Sequence, residues 1–225
     1  MYRWVAICAL VCLIGGPLSA YVGVAPALVG FGIFALAGLL GALAVVLGVV
    51  GLVRKRGAGA LFSLVVGALC VACLLVPAIA GRGYPPINDI STDLVDPPPL
   101  NEVPTYPQAF VPIVSEHYPD LASLRFEGVR PQLVFDEALR LAQERPAWSI
   151  HTVDQSAKRF EGTAETRLFR FHDDIAVRVR VEDGETLVDM RSRSRDGKGD
   201  LGANANRIRA FFVDLNARLA ARTEG

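Results

Sequence analysis

The first 81 residues contain no aspartate or glutamate. Only four basic residues stand before Gly81, namely Arg3, Arg54, Lys55 and Arg56. All 23 acidic residues of the 225-residue chain lie after that point, beside 19 basic ones, so the second part carries −4 while the whole chain sums to zero. A segment this long without a carboxylate is excluded from being an ordinary water-facing domain, and the chain divides between two solvents. Cysteine is missing from the charged part altogether: Cys8, Cys12, Cys70 and Cys73 all fall in the apolar part. Disulfides therefore do not staple the charged domain, which must bury a core of its own. Cys70-Val-Ala-Cys73 has C-x-x-C spacing, but the apolar surroundings withhold the polar setting a reactive thiolate needs, so these residues read as packing.

Three uncharged apolar runs are present: Trp4–Ala20, Val22–Val53 and Ala60–Ala80. About 20 apolar residues cross roughly 30 Å of hydrocarbon, so two or three transmembrane helices are expected, at about residues 4–20, 27–53 and 60–80. The first run also fits a signal peptide ending Leu18-Ser19-Ala20. Its long apolar stretch and the leucine three residues before the cut favour retention. Arg54-Lys55-Arg56 forms the loop between the second and third runs, and the positive-inside rule puts that loop in the cytoplasm. Everything after Gly81 is then expected outside the cytoplasm, with a bacterial inner membrane and a periplasmic domain as the expected setting. Small residues recur at Ala37, Gly41, Ala44, Gly48 and Gly51, and again at Ala60, Ser63, Gly67 and Cys70. Such a seam lets helix backbones approach closely, either within one chain or between two copies.

Residues 82–112 form a proline-rich linker, Tyr84–Pro112 holding eight of the 14 prolines. From 113 to 225 the pattern is globular. A helix is expected near Leu133–Arg145, ended by Pro146. Strands follow at Trp148–Val153, Phe160–Thr166, Asp174–Val181 and Thr186–Ser194. A closing helix near Ala203–Ala221 carries Ile208, Phe211, Phe212, Leu215 and Leu219 on one side. The expected fold is α+β: an antiparallel sheet of about four strands with two helices on one face. The other face is expected to be partly open and lined by Arg178, Arg180, Asp189, Arg191 and Arg193.

These segments carry a resemblance. Asn88–Asp93, Tyr118-Pro119-Asp120, Trp148-Ser149-Ile150, Phe171–Asp174, Asp189–Arg195 and Gly202–Arg209 occur in an order that resembles the domain of unknown function family 1499, over about Tyr84–Ala221. The resemblance implies no established activity and no catalytic residues. Asp196 departs from the family pattern, which has an apolar residue after the last arginine, and this weakens a reading of the loop as purely basic.

Arg191–Arg209 is the densest functional candidate, with six basic residues and two acids. A strand ends there, glycines follow and a helix begins. Arginine forks beside a helix start suit phosphate or carboxylate, with Arg178, Arg180, Asp189, Arg191, Arg193, Arg195, Asn204 and Arg207 as candidate ligand-binding residues. The competing reading is internal: Asp200 caps the helix and takes those donors, while the arginines pair with strand aspartates. His172, Asp173 and Asp174 are the first acid/base candidates for an enzyme, with a cleft to His117 as the discriminating feature. Two ligands on one strand face do not make a zinc site, so no metal is expected. No Ser-His-Asp or Cys-His context appears, no cofactor motif appears, and the acidic domain lacks a basic stripe for nucleic acid. The expected partners are the bilayer, an anionic small molecule or envelope protein, and a second copy through the small-residue seam. Three functions remain: a tethered binding or accessory module, an envelope hydrolase, and a membrane assembly scaffold.

Overall fold

The structure, a computed structural model, describes residues 2–101 and 105–223. Residues 102–104 of the proline-rich stretch lie outside the described residues. The chain divides into two compact units, Met1–Gly83 with Arg167–Phe171, and Tyr84–Thr166 with His172–Gly225.

The first unit contains α1 (Tyr2–Tyr21), α2 (Ala27–Val53) and α3 (Ala58–Ala80). Three helical stretches, Arg3–Tyr21, Ala27–Val53 and Ala58–Gly83, are long and apolar enough to cross a membrane, with mean hydropathies of 1.9, 2.7 and 2.6. Their packing is inverted relative to a water-soluble bundle. The buried residues of α2 are all glycine or alanine, while Leu39, Val46 and Val53 face outward. In lipid no hydrophobic effect drives helices together, so close backbone approach supplies the attraction. A Cβ on Gly67 would lie 2.5 Å from the Gly41 carbonyl oxygen, and one on Gly48 would lie 2.7 Å from the Leu64 nitrogen. Ser63 Oγ donates to the Ala44 carbonyl at 3.0 Å across the same seam. The seam thus closes α2 against α3 within one chain. Cys70 packs in it, facing Gly41, and the four cysteines are unpaired.

The second unit begins with β1 (Asp89–Ser91), α4 (Phe110–His117) and β2 (Leu124–Phe126). It continues through α5 (Pro131–Glu144), β3 (Trp148–Asp154), β4 (Arg159–Glu165), β5 (His172–Glu182), β6 (Glu185–Ser194) and α6 (Ala203–Thr223). The sheet is antiparallel in the order β1-β6-β5-β4-β3, and β2 pairs with β6 further along the same edge as β1. The expected four strands are therefore joined by two three-residue strands.

Alternation along β5 and β6 sends Ile175, Val177, Val179, Val188 and Met190 to one face. There they meet Phe135 and Ala138 of α5 and Ile208, Phe211 and Leu215 of α6, which occupy one stripe of each helix. The opposite face carries the charged residues of the same strands. Over β6 and β5 it is not open: the stretch Thr92–Asn101 and Tyr106 lies across it. Thr92 continues the β1 pairing by exchanging bonds with Met190. Asp93 Oδ1 accepts the backbone N–H groups of Val95 and Asp96, which turns the chain. Residues 82–112, expected as a linker, thus supply a strand, a cover and the first residues of α4. The cover stays because aspartates on it meet arginines on the sheet.

Candidate functional site

Period-two alternation also decides where the candidate residues go. Asn204 and Arg207 sit with Ser192 and Asp173 on the helix face, while Arg178, Arg180, Asp189, Arg191, Arg193 and Arg195 sit on the other. The eight residues form four separate groups.

On the helix face Arg207 Nη1 donates to Ser192 Oγ at 2.7 Å and to Asn204 Oδ1 at 2.5 Å, and Nη2 pairs with Asp173. Asn204 Nδ2 donates to the Asn88 carbonyl and to Ser194 Oγ, each at 3.1 Å. Burial pushes the Asp173 carboxyl up from its usual range, and the Arg207 charge opposes that shift. Asp200 accepts the backbone N–H groups of Gly202 and Asn204 at 2.9 and 2.8 Å, so its carboxylate already occupies the start of α6.

On the other face Arg191 and Asp89 form a two-bond pair at 2.9 and 2.7 Å, with side chains only 2% and 1% exposed. The Tyr106 ring lies 5.2 Å from the guanidinium, and Arg193 Nε stands 3.9 Å from the same aspartate. Next along the sheet, buried Asp189 accepts from Arg178 at 3.0 and 2.8 Å, from Arg180 at 2.8 Å and from Ser123 at 2.5 Å. Asp93 and Asp96 of the covering stretch close on the same two arginines at 2.7–3.2 Å. The hydrogen bond that Arg180 donates to the Asp189 carboxylate holds the Arg180 pKa above its usual value. These two groups are networks of internal pairs.

Arg195 is placed differently. It donates to Asp174 Oδ1 at 2.8 and 2.6 Å and to Thr163 Oγ1 at 3.2 Å, yet its side chain stays 47% exposed. It borders a polar cavity of about 330 Å³ whose other walls include His151, Thr152, Glu161, Asp174 and Asn101. The cavity lies where the cover stops, over β3 and β4. A bulge between Ile150 and Thr152 inserts His151 as an extra residue in β3. Bulges re-aim side chains, and this one brings His151 to the cavity rim. Opposite it stands Gly162, where a Cβ would fall 2.7 Å from the Ser149 oxygen, so the bulge and the glycine require each other. Glu161 is 3% exposed; its Oε2 accepts the Asn101 N–H at 2.9 Å and its Oε1 lies 2.8 Å from Arg159. That ion pair cancels the charge of Glu161, and the Asn101 bond ties the end of the cover to the cavity wall.

A family model described as Protein of unknown function (DUF1499) matches residues 89–215. The chain belongs to this family. No curated protein matches it. The match to DUF1499 starts at β1 and ends inside α6, so it takes in the covering stretch as well as the sheet.

Within this DUF1499 domain the remaining candidates are dispersed. His172 Nε2 stands 3.4 Å from Glu165 on the charged face, whereas Asp173 turns to the helix face. His117 bonds back to the Ile113 carbonyl in α4 at 3.1 Å. Among the described residues no three His, Cys, Asp or Glu side chains are grouped to hold a metal ion. Sequence reasoning missed His151, Thr152, Glu161 and Asn101. Gly162 inside an otherwise regular strand was the one available signal of a bulge.

Proposed function

We propose that this DUF1499 member is a membrane-anchored binding module whose site is the polar cavity beside Arg195. The observation that carries the reading is the cavity itself. It is polar, its volume of about 330 Å³ sits at the small end of ligand sites, roughly 300–1,000 Å³, and its one arginine is half exposed. Arg195 pairs with Asp174 as the other sheet-face arginines pair with theirs, but it keeps 47% of its side chain exposed where Arg178, Arg180, Arg191 and Arg193 keep 2–29%. The class of ligand follows from the lining. Arg195 keeps two of its N–H groups on Asp174 and still brings a half-exposed positive charge to the cavity, which suits a phosphate or carboxylate. Asp174 and Thr152 suit hydroxyl or amine donors on the same molecule. A small anion bearing such donors fits, whether a free metabolite or the headgroup of a lipid.

The finer setting belongs to this proposal too. Arg54-Lys55-Arg56 joins α2 to α3, and positive loops stay in the cytoplasm. The chain after α3 is then periplasmic, in a bacterial inner membrane.

The test is native mass spectrometry of the full-length protein released gently from membranes. The expected result is a reproducible adduct that Arg195→Ala removes and Arg125→Ala retains, since Arg125 is away from the cavity and pairs with Glu185 at the surface. The adduct mass separates a whole lipid from a soluble anion. An adduct that survives Arg195→Ala in a folded protein, or none in any detergent, overturns the proposal.

A further inference from the structure

Arg167–Phe171 belongs to the helical unit, although the chain supplies it from between β4 and β5. Its chemistry matches that assignment. The segment reads Arg-Leu-Phe-Arg-Phe and, like residues 1–83, it contains no acid. The second unit without it holds 16 basic and 23 acidic residues, a net −7. A short basic and aromatic segment therefore stands inside an acidic stretch of sequence.

Its contacts within the helical unit are aromatic. The Phe169 ring meets Phe31 edge-on at 5.4 Å and Phe34 at 5.5 Å, and Phe171 meets Phe31 at 6.2 Å. Arg170 Nη1 donates to the Tyr21 carbonyl at 3.4 Å, where α1 ends. Phe31 and Phe34 are in the opening turns of α2, at the end remote from Arg54-Lys55-Arg56. The surface around them is apolar and outward-facing, with Tyr21, Val22, Val24, Leu28 and Phe31 all exposed. Leu168 extends that surface: it is 55% exposed, in a segment whose neighbouring phenylalanines are packed.

An exposed leucine, clustered phenylalanines and flanking arginines at the end of a membrane helix make up the composition of the bilayer interface. Leucine and phenylalanine side chains bury at the boundary between headgroups and acyl chains, and arginines reach from there to phosphate. We propose that Arg167–Phe171 is a second lipid-contacting element, seated in the interfacial layer of the leaflet opposite the Arg54-Lys55-Arg56 loop. Leu168 enters the acyl boundary and Arg167 faces the lipid phosphates. The occupant is lipid rather than a protein groove because the patch continues the lipid-facing flank of α2 without a break. This inference rests on the membrane anchor and is independent of the cavity beside Arg195.

The experiment is tryptophan fluorescence of full-length Leu168→Trp in vesicles of phosphatidylcholine and phosphatidylglycerol, with the parent spectrum subtracted to remove Trp4 and Trp148. Leu168 is exposed, so the change does not disturb packing. A companion variant, Ala157→Trp, puts the probe in the exposed β3–β4 turn. The expected result is a blue-shifted emission from Leu168→Trp that loses most of its intensity to brominated lipid and little to acrylamide, with the reverse for Ala157→Trp. Emission from Leu168→Trp that acrylamide quenches and brominated lipid does not would overturn the proposal. So would equal lipid quenching at both positions, which would mean non-specific adsorption.

Discussion

Replacing Arg191 with alanine should destabilise the sheet unit far more than any other single arginine change on that face. Both partners in the Arg191–Asp89 pair are nearly inaccessible to water, and their two hydrogen bonds run along one fork. Removing one member strands a carboxylate in a dry layer, which typically costs about 3–5 kcal/mol. Arg193, 3.9 Å from Asp89, offsets part of that, while the lost contact with the Tyr106 ring adds to it. For a domain of this size 1 kcal/mol shifts Tm by roughly 3 °C, so Arg191→Ala should lower it by roughly 10 °C. The assay is thermal unfolding of the detergent-solubilised full-length protein followed by fluorescence. Trp148, stacked on Phe211 at 5.4 Å, reports loss of the core. The companion variant is the double change Asp89→Leu with Arg191→Met, which replaces the pair by apolar groups and should recover most of the loss. A single variant within about 3 °C of wild type, or a double variant as unstable as the single, would refute the reasoning.

Two further outcomes are expected. Gly67→Leu should open the α2–α3 hairpin, because the new Cβ meets backbone at Gly41 and Val45, 2.5 and 2.8 Å away, and neither can swing aside; loss of protease protection in the helical unit would register this, and exposed Leu69→Ala should leave protection unchanged. Asp120 titrates below its usual range because the Arg209 guanidinium hydrogen-bonds its carboxylate. A depressed carboxyl stabilises the fold above its unfolded pKa of about 3.9 and loses that contribution as pH falls through the lower folded value. The Tm gap between wild type and Asp120→Asn should therefore hold from pH 7 to 5 and close below about pH 4; a gap that widens on acidification would contradict the pairing.

The legible part of the fold was the part written in long periods. β5 alternates over the eight residues Asp174–Val181 and α6 repeats its apolar stripe from Ile208 to Leu219, so both were readable with their faces. The three apolar runs were equally plain. β1 and β2, at three residues each, are too short for any periodicity to emerge. α4 was hidden by Pro112, which suggests a loop but is tolerated in a helix's first turn, where the missing N–H has no partner to lose. The arginine face was readable as a face. Its condition was not, because Asp89, Asp93 and Asp96 reach their arginines across 82 to 102 residues of sequence. The cavity draws its walls from three strands, the residue just past β6 and the end of the cover, and only the folded register assembles them.

The same long reach has a consequence for the order of events during synthesis. β1 and its cover are synthesised first, yet the strand they need, β6, lies about a hundred residues downstream. Closing so large a loop is slow relative to forming hairpins, so β3–β4 and β5–β6 should assemble before Asp89 finds Arg191. Until then the early segment must wait in water without aggregating. Its prolines and aspartates suit that wait, since they neither form a strand alone nor invite one from a neighbour. Completion of the domain is thus signalled by the burial of its first segment. A chain truncated before β6 would leave that segment loose, and so exposed to proteolysis.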